Sequence, residues 1–264
     1  VEVSIDLTHS ETMREALLRL ERVAPSDLCV IIYGERGTGK EWAARRIHQM
    51  SNRASGPFYV VDCAALQPQS IEKEIFGYDV ITWDGIDIKK SAFEEGAGGT
   101  LFLNEFSSLP LPVQLKIVRA IEYKKVGRIG GVQSIEIDVR LIATVSLGTE
   151  ASPHRKIPQE DFHSRIAAIG IHLPPLRKRK DDIPLLIGKF LTELRGRYGS
   201  SVRGISEEAL ALCCSYDWPG NVRHLKNAME YASIMCGSED ILPEHLPGYL
   251  QPVKRLQKSN RHGV

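Results

Sequence analysis

One stretch constrains this chain more than any other: the apolar run Leu28 to Tyr33 leads directly into Gly34-Glu35-Arg36-Gly37-Thr38-Gly39-Lys40, and an amphipathic segment carrying Trp42, Ile47 and Met50 follows. Strand, glycine-rich turn and helix in that order fit the pattern G-x-x-x-x-G-K, in which glycines let backbone N–H groups converge on phosphate oxygens. The helix N-terminus adds the positive end of its dipole, and Lys40 adds a point charge for the outer phosphates. A glycine turn with a solvated lysine is the plainer alternative, but it leaves the strand before and the helix after without a role. Gly34 to Lys40 are therefore expected to hold ATP or ADP. Glu41 departs from the pattern, because a Ser or Thr hydroxyl usually stands there to meet magnesium. Metal binding must then lean on other residues.

The alternation continues along the chain. Phe58 to Val61, Thr100 to Leu103, Val139 to Thr144 and Ile169 to Leu173 read as further buried strands, with helical patterns between them. This predicts an α/β fold around a mostly parallel sheet. After Pro174 and Pro175 the strand pattern stops, and helices are expected near Asp182 to Arg195, Glu207 to Ser215 and Gly220 to Met235. Ser206 before Glu207 and Glu208 is a helix-start signal, and Pro219 suits a first helical turn. The expected organisation is a nucleotide-binding subdomain over residues 1–174, a helical subdomain over 175–250 and a basic linker or tail over 251–264. A first residue of Val suggests a fragment of a longer protein.

Composition excludes several classes of function. Lys and Arg number 34 against 33 acidic residues in a chain of 264, a net charge of +1, so the whole chain carries no basic footprint for nucleic acid. Any DNA contact is expected through a domain outside this segment. Cys29, Cys63, Cys213, Cys214 and Cys236 form no C-x-x-C pair, which points to buried thiols in a reducing cytoplasm. No apolar run is long enough for a membrane span, and no signal peptide is expected.

Five motifs in order carry a family resemblance: Gly34 to Glu41 as GERGTGKE, Glu74-Ile-Phe-Gly77, Gly98-Gly-Thr-Leu-Phe-Leu-Asn-Glu105, Leu173-Pro-Pro-Leu-Arg-Lys-Arg179, and Trp218-Pro-Gly-Asn-Val-Arg-His-Leu225. Together, from about His9 to about Leu246, the sequence resembles the AAA+ module of NtrC-type activators, the ATPases that remodel sigma-54 RNA polymerase. The resemblance implies an AAA+ core of phosphate-loop type, a parallel sheet followed by a helical lid. It also implies self-association, as a dimer or a hexameric ring, RNA polymerase as a partner, and nucleotide sites between subunits.

Against that pattern some positions are kept and others changed. Glu105, the family's water-polarising carboxylate, remains, whereas the magnesium-side Asp is replaced by Asn104, a neutral amide and a weaker metal ligand. Asp62 stands where the family carries an Asn that orients the catalytic Glu, so two carboxylates would repel or share a proton. Of two arginines that reach the neighbouring subunit's phosphate, Arg165 is kept and Gln159 replaces the other; Arg165 as a surface ion-pair residue is the alternative. Thr144 matches the sensor strand end, followed by Val145 in place of a polar residue, and Arg223 matches the lid arginine that meets the nucleotide. The segment Ile81-Thr-Trp-Asp-Gly-Ile86 lacks the GAFTGA sequence with which the family contacts sigma-54, and Trp83 is expected to cap a hydrophobic contact within the module.

Two functions from different classes follow. One is an ATP-binding regulatory module with a weakened or lost hydrolytic site, acting without sigma-54 and similar to regulators of the VpsR and FleQ type, which respond to cyclic di-GMP. In that reading Arg45 and Arg46, spaced after Lys40 as in FleQ-type relatives, contact the ligand; solvated helix arginines are the alternative. The other function is an active sigma-54-dependent ATPase. Lack of GAFTGA, Asn104, Asp62 and Gln159 favour the first.

Overall fold

A computed structural model describes residues 8–83, 85–147, 168–198, 202–237 and 240–251. The chain divides into two compact units, Val1–Arg179 and Lys180–Val264.

The first unit is built on a five-stranded parallel sheet in the order β2-β5-β8-β1-β9, from β1 (Val30–Gly34), β2 (Phe58–Asp62), β5 (Thr100–Asn104), β8 (Arg140–Ser146) and β9 (Ile169–His172). Continuous apolar runs mark these strands because both faces are covered. Along β1, Val30 and Ile32 pack with helices α1 (Glu11–Val23) and α2 (Lys40–Gln49), whereas Ile31 and Tyr33 join the core of the opposite face. That second core holds α3 (Ile71–Phe76), α4 (Ala92–Glu95) and α5 (Leu111–Tyr123) through Ile75, Phe93 and Ile117.

Helix α1 starts at Ser10, whose hydroxyl accepts from the Met13 amide, and turns Met13, Ala16, Leu17, Leu20 and Val23 inward. Its far end is capped from β8. Arg140, only 1% exposed, donates to Ala24 O at 2.6 Å, Val23 O at 2.9 Å and Leu28 O at 3.3 Å, so a charged fork satisfies carbonyls that a helix end leaves open. Burial pushes the Arg140 pKa down, and the Asp27 carboxylate opposes that.

Two small antiparallel hairpins leave the sheet: β3 (Tyr78–Thr82) with β4 (Gly85–Lys89), and β6 (Lys125–Gly127) with β7 (Ser134–Glu136). Their bases are joined. Asp79 N donates to Ile129 O at 2.9 Å, and Arg128 donates to Asp79 at 3.0 Å and to both Glu94 oxygens. Trp83 sits in the turn between β3 and β4 and is 98% exposed, which overturns the expected contact inside the module. The register from Tyr78 opposite Lys89 to Thr82 opposite Gly85 puts it beyond the last strand pair.

The second unit holds α6 (Ile183–Tyr198), α7 (Glu207–Ser215) and α8 (Asn221–Cys236). Ser206 caps α7 by accepting from the Ala209 amide. Pro219 lies before α8 instead of in its first turn: Gly220 is the cap, and Trp218 and Asn221 take positive φ of 51° and 53°. A tight turn of that shape buries Trp218 completely, with its indole N–H donating to Cys213 O at 2.8 Å. Cys29, Cys63 and Cys213 are buried, while Cys214 and Cys236 are partly exposed. Among the described residues no helix is long and apolar enough to cross a membrane.

Candidate nucleotide site

The parallel sheet brings one end of every strand to a common edge, and the residues singled out in the sequence collect there. Gly34 pairs with Ser146 across β1 and β8, and Asp62 pairs with Asn104 across β2 and β5. Crevices at the carboxyl ends of parallel strands are where such sheets take ligands.

The glycine loop runs from Gly34 to Gly39, and α2 begins at Lys40. Two positions require glycine. A side chain on Gly34 would come within 2.8 Å of Thr38 Oγ1 and 3.1 Å of Leu173 O, and Gly39 has φ +105° with open space where a Cβ would stand. The loop is braced from within by Thr38 Oγ1, which donates to Glu35 O at 2.8 Å. It is also braced from the segment after β9. Arg177 forms a two-pronged pair with Glu35 at 2.7 and 2.6 Å, and Arg179 donates to Thr38 O at 2.9 Å. Arg36 is exposed, as is Glu41 on the first turn of α2.

Lys40 is 6% exposed and fully engaged. Its ammonium donates to Gly34 O at 3.0 Å, Glu35 O at 3.2 Å and Ser146 Oγ at 2.8 Å, and lies 3.4 Å from Glu105 Oε1. Ser146 in turn donates to that carboxylate at 2.6 Å. Glu105 takes a left-handed backbone, φ 55° and ψ 47°, directly after β5, and its amide donates to Thr144 Oγ1 at 2.9 Å. Thr144, completely buried, donates a hydrogen bond to Asn104 Oδ1 at 2.9 Å. Lys40, Ser146, Glu105, Thr144 and Asn104 are thus one connected chain.

Ser146 escaped the sequence reading, which stopped at Val145. Residues two apart in a strand share a face, so Thr144 and Ser146 point the same way while Val145 points to the other. That alternation was the available signal.

Asp62 and Arg45, both in the first unit, direct their side chains to other partners. Asp62 is exposed and accepts from the Ala64 amide at 3.2 Å; among the described residues no hydrogen bond joins it to Glu105. Next to Asp62, the buried Cys63 thiol has its pKa pushed up to about 12 by burial and, secondarily, by the Asp62 and Glu105 charges. Arg45 stretches back to Glu41, with bonds of 3.2 and 2.9 Å, and lies 4.9 Å over the Phe58 ring. Its neighbour Arg46 is half-buried on the same helix. Arg223 is exposed in the first turn of α8, in the second unit. Gln159 and Arg165 lie outside the described residues.

Comparison with known proteins matches residues 7–172 to the sigma-54 interaction domain and residues 177–262 to the AAA+ ATPase lid domain. The chain is 39% identical over 239 residues to the transcriptional regulatory protein ZraR of Escherichia coli (strain K12), covering 90% of this chain and 54% of that protein. It is 38% identical over 231 residues to the sigma54-dependent transcriptional activator SfnR of Pseudomonas putida, covering 87% and 63%. It therefore spans about half to two thirds of these curated relatives. The crystal structure of NtrX from Brucella abortus in complex with ATP superposes with a TM-score of 0.80 at 32% identity, covering 95% of this chain and 57% of that one. The same protein was also solved in complex with ADP, with the same TM-score and identity. The matched domains together span nearly the whole chain, and the fold superposes: the chain belongs to the sigma-54 interaction family, the AAA+ module of NtrC-type transcription regulators.

Proposed function

We propose that this chain binds ATP or ADP in the loop Gly34 to Lys40 and serves as the ATPase module of a transcription activator that acts on sigma-54 RNA polymerase. The observation that carries the reading is the chain of bonds from Lys40 through Ser146 to Glu105. A cation for phosphate and a carboxylate able to polarise water are held against the same strand edge, beside a glycine loop shaped to receive phosphate oxygens. Lys40 binds the outer phosphates, backbone N–H groups of the loop hold the rest, and Glu105 turns toward the attacking water once phosphate has taken its place on Lys40. Thr144 fixes the Glu105 backbone and Asn104 together. Open space at Gly39, where an added Cβ would meet nothing within 4 Å, supports close approach of a phosphate to the loop. Protein donors for magnesium are weak: the Glu41 carboxylate is held by Arg45, and among the described residues no three acidic, His or Cys side chains converge. Magnesium would be held chiefly by the phosphates, with Asn104 as its nearest protein partner. The family supports self-association, the neighbouring subunit completing the site through Arg165, and DNA contact through a domain beyond this segment.

A second reading, a nucleotide-binding regulator that hydrolyses ATP slowly or not at all and works without sigma-54, as in VpsR-type regulators, is favoured by Asn104 and by the absence of GAFTGA in the β3–β4 hairpin. The comparisons support the first reading more. Cyclic di-GMP at Arg45 and Arg46 gains no support, because the Arg45 guanidinium already serves Glu41 and Phe58. One preparation tests both readings by calorimetric ATP binding and by phosphate release. Release at about 1 per second or faster, lost in Glu105→Ala, supports the ATPase; saturable binding without release supports the second reading. Unchanged affinity in Lys40→Ala would remove the nucleotide site from both.

A further inference from the structure

The first unit carries a second concavity away from the strand edge. A cavity of about 560 Å³ opens between α3, α5 and β6, with an apolar floor from Phe76, Ala120 and Val126. Cations stand on its rim. Lys116 is neutralised by both Glu72 oxygens at 2.9 Å, but Arg119 and Lys125 form no ion pair among the described residues. Tyr123 closes one side and is 68% exposed.

Beside this concavity α5 carries an exposed ridge. Leu111 is 43% exposed and Leu115 36%, and with Arg119 and Tyr123 they recur every four residues, the spacing that aligns side chains into one ridge of a helix. Among the described residues all four are exposed. Exposed large apolar residues grouped beside a concavity mark an interaction surface more often than scattered ones do.

We propose that this groove docks an acidic amphipathic segment of a partner protein, its apolar side chains entering between Phe76 and Val126 and its carboxylates meeting Arg119 and Lys125. Charge decides the occupant: Arg119 and Lys125, the rim groups that form no ion pair among the described residues, are both cationic and sit over an apolar floor, with Glu136 across from Lys125 as the one nearby acid on β7, which suits a helix with one apolar and one acidic face laid into a groove. Duplex nucleic acid fits less well, since it needs a tract of cations along its phosphates and has no apolar face to fill the floor. The proposal is independent of the nucleotide site.

Gly127 offers a clean probe, because it lines the groove and an added Cβ would meet nothing within 4 Å. The full chain is titrated by fluorescence anisotropy with a labelled synthetic helix bearing Leu and Phe on one face and Glu on the other. The same helix with Lys for Glu, and a labelled DNA duplex, are run beside it. Expected are saturable binding of the acidic helix that weakens with salt, and a loss of at least about tenfold in affinity in Gly127→Phe and in Arg119→Glu/Lys125→Glu. Melting curves and ATP affinity should match the parent chain, and amide exchange should slow in α5 and β6 when the helix binds. If Gly127→Phe fails to fold, the exposed charge-reversal pair carries the test. Absence of saturable binding, indifference to both variants, or preference for the basic helix or for DNA would overturn the proposal.

Discussion

Ser146 Oγ donates to Glu105 Oε1 at 2.6 Å while accepting from Lys40 at 2.8 Å, so a single hydroxyl joins the phosphate-binding cation to the water-polarising carboxylate. Ser146→Ala removes a bond to a charged group, and the nucleotide-free chain should lose about 1–2 kcal/mol. With ATP bound, Lys40 faces phosphate instead, so the loss should shrink. Melting with and without saturating ATP checks this: the ATP-induced rise in Tm should be larger in the variant than in the parent, and equal rises would refute it.

Asn104→Asp should fold unchanged and turn over ATP faster by about tenfold or more. Its Oδ1 accepts from Thr144 at 2.9 Å, a bond that a carboxylate accepts equally well, and the added negative charge offsets that of the metal. Phosphate release by the two chains at matched ATP saturation is the measurement; equal rates would show that the amide is no handicap.

Arg140→Met should destabilise the chain by about 3 kcal/mol, because the carbonyls of Val23, Ala24 and Leu28 lose buried donors at the end of α1. Arg140→Lys should recover only part, since an ammonium cannot reproduce the planar fork. Urea midpoints at constant slope provide the check.

Glu94 contributes acid-sensitive stability. Chiefly the Arg128 guanidinium, with help from the Ser91 amide and hydroxyl, lowers its pKa from 4.5 to about 2. A carboxyl depressed on folding stabilises fully above its unfolded pKa, and that contribution fades as pH falls from about 4.5 toward 2. Glu94→Gln should therefore be less stable than the parent at neutral pH, and the gap should close through that acid window. A gap independent of pH would contradict the assignment.

Trp83→Ala should leave stability within about 0.5 kcal/mol of the parent, since a side chain 98% exposed has almost no burial to lose. A drop of Tm in the purified chain would restore the internal contact expected from the sequence.

Much of the architecture was legible because buried parallel strands announce themselves. The runs around Ile31, Val61, Phe102, Ile142 and Ile171 all became sheet strands, and Gly34 to Lys40 fell between strand and helix where the glycine pattern put them. Side-chain roles were less legible. Glu105 and Asn104 could be placed at a strand end, but the left-handed turn at Glu105 is held by its amide's bond to Thr144 on a neighbouring strand. Such partners lie 39 residues apart, beyond any local pattern. Trp83 shows the converse error: its size suggested burial, whereas the hairpin register decided its exposure. Arg177 and Arg179 were visible as part of a motif, yet their attachment to Glu35 and Thr38 appears only once β9 lies beside β1.

Those two arginines brace the glycine loop with the protein's own side chains. A loop that is ordered on folding leaves little chain entropy to be lost when a nucleotide arrives, so affinity there is set by phosphate contacts and desolvation. The heat-capacity change of binding should then be small and should track only the surface the nucleotide covers, as for entry into a rigid cavity; a loop that folded around its ligand would give a much larger value.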